Sequence, residues 1–253
     1  MKIGIALSGG GALGAAHAGV LHALEEADIV PHHVTGVSAG AIIGALYCGG
    51  NSPKEILEIF KINSLFELFS FQGINVGLVD TDYFQKTIKE HVTHNSFSEM
   101  KTRLSIGATN LNSGEFEIFE EGDVSKIAAA SSAVPLLIKP VKIGKDLYVD
   151  GGLINNLLVE PLTESCDFVI GVNANHHQRL DEIQGIKEIG RRCFEIIAWS
   201  SVRRNSEKCD YMMMVKETLN YALFDFKHSE QLFEIGSNEM KESMDELLQV
   251  LDN

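Results

Sequence analysis

The sequence predicts an α/β chain built on a largely parallel sheet covered by helices. Three observations carry this. The first fifty residues alternate short apolar runs with helix-patterned segments in the order β-α-β-α, and parallel neighbours need such crossovers. Both strand-to-helix junctions are rich in glycine, Gly9-Gly10-Gly11 and Gly36-Val37-Ser38-Ala39-Gly40. No Pro/Ser-rich linker, low-complexity run or internal repeat divides the 253 residues, so residues 1–253 read as one domain.

In chain order, residues 2–8 form a short apolar run broken by the glycines, the pattern of a buried strand. Residues 15–27 carry apolar side chains at helical spacing and end in acidic residues. Residues 33–37 read as a second strand, and 39–48 as a small-residue helix closed by Gly49-Gly50. Pro53 suits the first turn of a helix over 53–61. The aromatic-rich stretch 60–71 follows, then a helix over 82–91. Residues 104–109 and 115–119 read as strands flanking the turn Asn112-Ser113-Gly114. A helix over 125–132 stops before Pro135. Strands 141–143 and 147–149 lead into Asp150-Gly151-Gly152, and 168–172 is a further buried strand. Two longer helices, 182–204 and 229–251, flank a short strand at 211–215.

The formal net charge of −14 repels nucleic-acid phosphates and anionic lipid alike, which excludes nucleic acid as a partner. Membrane contact then calls for an apolar patch and is transient; association of like subunits is left open. Cys48, Cys166, Cys193 and Cys209 form no CxxC pair and no zinc-spaced cluster with histidine. They read as reduced, buried thiols of a cytoplasmic protein, peripheral to a membrane at most. The apolar run 3–7 is too short for a signal peptide, and 39–48 too short to span a bilayer.

Gly36-Val37-Ser38-Ala39-Gly40 fits G-x-S-x-G between a strand and a helix, the setting of a nucleophile on a sharp turn. Ser38 then sits at a helix N-terminus, where unpaired N–H groups favour developing negative charge. Gly9-Gly10-Gly11-Ala12-Leu13-Gly14 fits G-x-G-x-x-G. A dinucleotide site would need a carboxylate at the end of the second strand; that strand ends in Ser38. The other reading is an oxyanion hole from the bare N–H groups of Gly9, Gly10 and Gly11. For the base, Asp150 ends a strand ahead of Gly151-Gly152, a loop with nothing to crowd its carboxylate. A Ser…Asp…His order is also open through His176, His177 or His228. His17, on the first helix near the glycine loop, reads as a structural histidine.

These three motifs, in this order, resemble the patatin-like phospholipase family, as do the strings IALSGGGALGAAHAGVLHALEE, GVSAGAIIGALY and AAASSAVPLLIKPV…YVDGGLINN. The resemblance covers about residues 2–175. It implies a three-layer α/β/α fold and lipid acyl-ester substrates. It also implies a catalytic Ser38–Asp150 dyad, supported by Gly14, Gly36, Gly40, Gly151 and Gly152, with no metal and no cofactor. Two positions depart from the family pattern: Leu13 stands where a basic residue is usual, and Leu158 where proline is frequent. Leu13 and the charge of −14 together lead us to expect uncharged esters such as monoacylglycerols to be preferred over anionic phospholipids, unless Lys139 or Lys142 supplies the missing charge. A non-catalytic lipid-binding or regulatory protein on the same fold is the competing class. Phe60, Leu65, Phe66, Leu68, Phe69 and Phe71 read equally as acyl-chain wall or lid and as core or interface. Met212 to Met214 read as strand core, and the acidic stretch 239–246 as a solvated helix face.

Overall fold

The computed structural model describes residues 1–62, 80–177, 179–223 and 226–252. Strand β1 (Ile3–Leu7) leads through a 3-10 turn (Gly11–Gly14) into helix α1 (Ala15–Glu26). Strand β2 (His33–Val37) leads directly into α2 (Ala39–Cys48). Helix α3 (Pro53–Ile62) begins with a reciprocal cap: the Ser52 N–H donates to Glu55 Oε2 at 2.7 Å and the Glu55 N–H to Ser52 Oγ at 3.3 Å. Helix α4 (Asp82–His91) is followed by β3 (Arg103–Asn110) and β4 (Phe116–Phe119). Asp123 caps α5 (Val124–Ser131), accepting the Lys126 N–H at 2.9 Å. Then come β5 (Val141–Ile143), β6 (Asp146–Asp150), α6 (Glu160–Ser165), β7 (Phe168–Asn173), α7 (Gly185–Ser206), β8 (Tyr211–Met214), α8 (Ser229–Glu242) and α9 (Met244–Leu251).

The helix expected over 229–251 is thus two helices. Serine competes for backbone hydrogen bonds and is a poor helix interior residue. Here Ser243 sits at φ −92°, ψ 0°, and its side chain hydrogen-bonds Tyr211 at the start of β8. The helix expected from 182 starts at Gly185, with the Gln184 N–H donated to Glu188 at 2.7 Å. No described helix is long and apolar enough to cross a membrane.

Eight strands form one sheet in the order β5-β6-β3-β2-β1-β7-β8, with β4 also on β3. The pairs β1–β2, β1–β7, β2–β3 and β7–β8 are parallel; β3–β4, β3–β6 and β5–β6 are antiparallel. The register on β3 is the feature that positions the site. Strand β4 occupies one edge of β3 over Ile106 to Thr109. On the other edge β2 pairs up to Val37↔Gly107, and β6, running the opposite way, pairs from Asp150↔Ala108. The C-terminal ends of β2 and β6 therefore meet head-on along a single edge.

The sheet separates two cores. Ile3, Ile5 and Leu7 of β1 point into the larger one, filled by α1, α2, α3, α4, α5, α8 and α9. Ala6 points into the smaller, with Leu157 and Val159 from the segment leading into α6, Leu162 from α6 and Val202 from α7. Helices on both faces make the three-layer α/β/α arrangement. Phe60 is buried in the larger core; Leu65, Phe66, Leu68, Phe69 and Phe71 lie outside the described residues. Met213 is buried and Met212 and Met214 are half-buried. Glu239 does more than face solvent: it accepts the backbone N–H groups of Lys216 and Glu217, each at 2.8 Å. All four cysteines are free thiols, but only Cys48 is fully buried. Cys193 is exposed on α7, contrary to the expectation of buried thiols.

Helix α1 crosses α8 at backbone contact. A Cβ on Gly236 would overlap the Ala16 carbonyl oxygen. In an open helix Gly→Ala would stabilise by about 1 kcal/mol. Here the collision wins, at a cost of about 1–3 kcal/mol. Gly236→Ala is expected to lower the urea midpoint; an unchanged or raised midpoint would show that the two helices are not in contact at this point.

Candidate active site

Ser38 joins β2 to α2 in a backbone conformation, φ 54°, ψ −125°, that side-chain-bearing residues rarely adopt and that costs on the order of 1–3 kcal/mol. The surroundings hold it there. The Ser38 N–H donates to Ser131 Oγ at 2.8 Å, Ser131 Oγ donates to the Gly107 carbonyl at 2.6 Å, and Ser132 Oγ donates to the Ser38 carbonyl at 3.0 Å. Tight packing explains the small residues on either side. A Cβ on Gly36 would overlap the Gly40 carbonyl, one on Gly40 the Leu7 carbonyl, and one on Gly14 would come within 2.6 Å of the Ala39 side chain.

Asp150 is the last residue of β6, so the head-on meeting of β2 and β6 brings it to Ser38. Its Oδ2 accepts the Ser38 hydroxyl at 2.6 Å, and its Oδ1 accepts the Gly152 N–H at 2.8 Å. Its backbone is fixed as well: its N–H donates to the Ala133 carbonyl and its carbonyl accepts Thr109 Oγ1, both at 3.0 Å. Gly151 packs into the junction, where a Cβ would lie 2.9 Å from Val37 Cγ1. Ser38 is 7% exposed and Asp150 1%. Burial disfavours the charged carboxylate and pushes the Asp150 pKa up to about 7; the hydrogen bonds from Ser38 and Gly152 offset this only in part. A carboxylate poised near neutrality can take a proton and return it.

The glycine loop after β1 lies against this pair. A Cβ on Gly9 would come within 2.9 Å of Ser38 Cβ. The three glycines are not equivalent. The Gly9 N–H donates to both the carbonyl and Oδ1 of Asn156, at 3.3 and 3.2 Å, so it is engaged in holding the loop. Among the described residues, no acceptor is found for the N–H groups of Gly10 or Gly11. Gly11 takes φ +56°, and a Cβ there would overlap the Leu223 carbonyl.

No histidine bonds Ser38 or Asp150 among the described residues. His176 and His177 pack on Trp199, with ring centroids 5.6 and 5.8 Å away, and His228 on Tyr221 at 5.3 Å. His17 is fully buried, donates its Nε2–H to the Ser8 carbonyl at 2.8 Å, and has its pKa lowered to about 4 by burial. It is neutral and steadies the end of β1. Asn156, Ser131, Ser132 and Thr109, which fix the loop, the turn and the aspartate, carry no motif of their own in the sequence; the strings around the first three resemble the family, and Thr109 lies outside them.

A cleft opens beside the glycine loop. Gly10 faces Leu13 and Asn175, both in the cleft wall, and Asn156 joins them. The far wall is α7, with Arg191, Arg192, Glu195 and Trp199, together with His176 and His177. Leu13 is 3% exposed and contributes apolar surface to this wall. Leu158 is fully buried, and its carbonyl accepts Thr35 Oγ1, so it serves as a core residue. Lys139 is paired with Asp80 at 2.9 Å.

Residues 5–163 match the profile of the patatin-like phospholipases. The chain is 28% identical to an uncharacterized protein of Acanthamoeba polyphaga mimivirus, over 96% of this chain and 94% of that one. It is 32% identical to an uncharacterized NTE family protein of Mycobacterium tuberculosis, over 62% of this chain and 27% of that protein. It is 22% identical to a lysophospholipase, NTE1, of Kluyveromyces lactis, over 92% of this chain and 18% of that protein. The chain therefore spans nearly the whole viral relative but about a quarter or less of the other two. Its fold is similar to that of VipD from Legionella pneumophila, with a TM-score of 0.62 at 14% identity, covering 97% of this chain and 67% of that one. From its serine turn, its glycine loop and the profile it matches, the chain belongs to the patatin-like phospholipase family.

Proposed function

We propose that this protein is a lipid acyl hydrolase in which Ser38 is the nucleophile and Asp150 its base, and that residues 1–253 act as one catalytic unit. The observation that carries the reading is the 2.6 Å hydrogen bond from the Ser38 hydroxyl to a buried carboxylate, with no histidine between them. Asp150 takes the proton of Ser38 as its oxygen attacks the acyl carbonyl. The N–H groups of Gly10 and Gly11 receive the developing oxyanion. Asp150 then gives the proton to the departing alcohol, leaving an acyl-serine. A water molecule, deprotonated by Asp150, attacks the acyl-serine and releases the fatty acid, and the proton returns to Ser38. The substrate class, an acyl ester of a lipid, follows the family and is consistent with the lysophospholipase relative.

Labelling with a fluorophosphonate probe and turnover of a short-chain nitrophenyl ester test this directly. Ser38→Ala is expected to abolish labelling and to lower kcat by roughly 10⁴-fold or more. Asp150→Asn is expected to be nearly as damaging, because an amide takes no proton. His176→Ala, His177→Ala and His228→Ala should each retain activity. A loss at any one of them equal to that of Ser38→Ala would replace the dyad with a triad. Retained turnover in Ser38→Ala, or a wild-type protein that binds lipid but neither labels nor turns over, would overturn the reading.

The raised pKa of Asp150 gives two pH signatures of opposite sense. As a base, Asp150 must be ionised, so kcat/KM is expected to rise with pH and level off above about 7. For stability, a folded-state pKa above the unfolded value of 3.8 means that the folded protein holds the proton more tightly. Its contribution is full below the unfolded value and is lost as pH climbs through about 7. Asp150→Asn should therefore gain stability relative to wild type between pH 4 and pH 8 in urea titrations. A difference independent of pH would mean that Asp150 ionises as freely when folded as when unfolded.

A further inference from the structure

Ser8, the first residue after β1, is fully buried and takes no part in the proton transfers proposed above. It is fixed at three atoms. Its N–H donates to the Val172 carbonyl at 3.0 Å, its carbonyl accepts the His17 Nε2–H at 2.8 Å, and its Oγ accepts the Ala174 N–H at 3.3 Å. The hydroxyl proton remains, and it goes to the Gly9 carbonyl at 3.1 Å. The same carbonyl accepts Asn156 Nδ2 at 3.5 Å. One residue on, the Gly10 carbonyl accepts the Leu13 N–H at 3.1 Å. Each carbonyl from Ser8 to Gly10 is therefore held. A trans peptide is planar with its N–H opposed to its C=O, so a held carbonyl sets the direction of the N–H that follows it. Holding the Gly9 carbonyl aims the Gly10 N–H, and holding the Gly10 carbonyl aims the Gly11 N–H. These are the two N–H groups of the loop that find no acceptor among the described residues.

Resting on the hydrolase reading above, we infer that Ser8 is a positioning residue of the oxyanion hole: its hydroxyl holds the Gly9 carbonyl and so turns the Gly10 N–H toward the acyl oxygen at Ser38. Gly9 touches Ser38, since a Cβ on it would come within 2.9 Å of Ser38 Cβ, and the Gly10 nitrogen is bonded to the Gly9 carbonyl carbon. Three glycines in a row cannot hold such a peptide by themselves, because without side chains both faces of the backbone are sterically open. A flip of the Gly9–Gly10 peptide would present a carbonyl oxygen to the developing negative charge in place of a donor. The flip would also leave the buried Ser8 hydroxyl without its acceptor, which is costly. A hydroxyl suits this place because it accepts and donates at one atom. Through it the Ala174 N–H, just past β7, orients a loop that follows β1, and the pairing of Leu7 with Val172 brings those two strand ends together.

The test reads stabilisation of the oxyanion apart from substrate binding and from the dyad. Kinetics on a short-chain nitrophenyl ester and on its thionoester, whose sulfur is the poorer hydrogen-bond acceptor, are measured in wild type, Ser8→Ala and Ser8→Cys. Ser8→Ala is expected to lower kcat on the ester roughly tenfold to a hundredfold, short of the roughly 10²–10³-fold lost with a whole oxyanion donor. The loss should fall on kcat more than on KM, as it does when an interaction is made only in the transition state. The thionoester gains less from the hole and should lose less, so the ratio of ester to thionoester turnover narrows. Ser8→Cys keeps a weak donor in a similar volume; it should fall between wild type and Ser8→Ala, and it carries the same readouts if Ser8→Ala does not fold. The rise of kcat/KM with pH should stay centred near 7 in both variants, because Asp150 keeps its burial and its partners. A merely structural role would lower the urea midpoint and leave the ester-to-thionoester ratio as in wild type. An unchanged kcat, an unchanged ratio, a loss carried by KM or a displaced pH midpoint would each overturn the inference. Failure of the hydrolase reading would appear separately, as a wild type that turns over neither ester.

Discussion

The site depends on how one edge of β3 is divided. Strand β4 holds the opposite edge, so β2 and β6 must share what remains: β2 runs to Gly107 and β6 starts at Ala108. Two strands of opposite direction that end against each other bring their last residues together without any loop to place them. Asp150 is the last residue of β6, and Ser38 is the first residue after β2. The end of α5 locks the junction, since Ser131 bridges the Ser38 N–H to the Gly107 carbonyl and Ala133 accepts the Asp150 N–H. The register of a sheet, which is among the stiffest features of a fold, thereby sets a distance of 2.6 Å between two side chains.

Charge is kept away from that junction. A cation within a few ångströms of Asp150 would favour its ionised form and draw its pKa back down. None is among the causes of its shift, and burial dominates. Arg191 and Arg192 line a cleft that includes neither Ser38 nor Asp150 and are tied to Glu188 and Glu195. Gly9 gives its N–H to Asn156, which fixes the loop beside Ser38.

Much of this is local enough to be read from the sequence. The strand–glycine–helix junctions at Gly9 and Ser38, and Asp150 ahead of two glycines, are short-range patterns with a steric cause, and all lie at the C-terminal ends of strands as expected. Pairings over long separations leave no such trace. Nothing in the periodicity of 103–110 or 146–150 says that β6 would abut β2, or that β4 would take the other edge. The roles of Asn156, Ser131 and Thr109 are likewise fixed by partners far along the chain. Arg191 and Arg192 sit in a run that reads only as a helix, because which face of α7 meets the cleft is decided by the packing of Val202 and its neighbours. The break at Ser243 follows from a contact with Tyr211, again invisible from the helix alone.

The head-on junction also orders events in time. Its two members are 112 residues apart in the chain, and closing so long a loop is slow and entropically costly until the intervening strands have paired. While β2 is still waiting for β6, Ser38 has no carboxylate beside it and Asp150 has no burial to raise its pKa. A folding chain of this kind brings its serine hydroxyl and its buried carboxylate together only with the closing of the sheet.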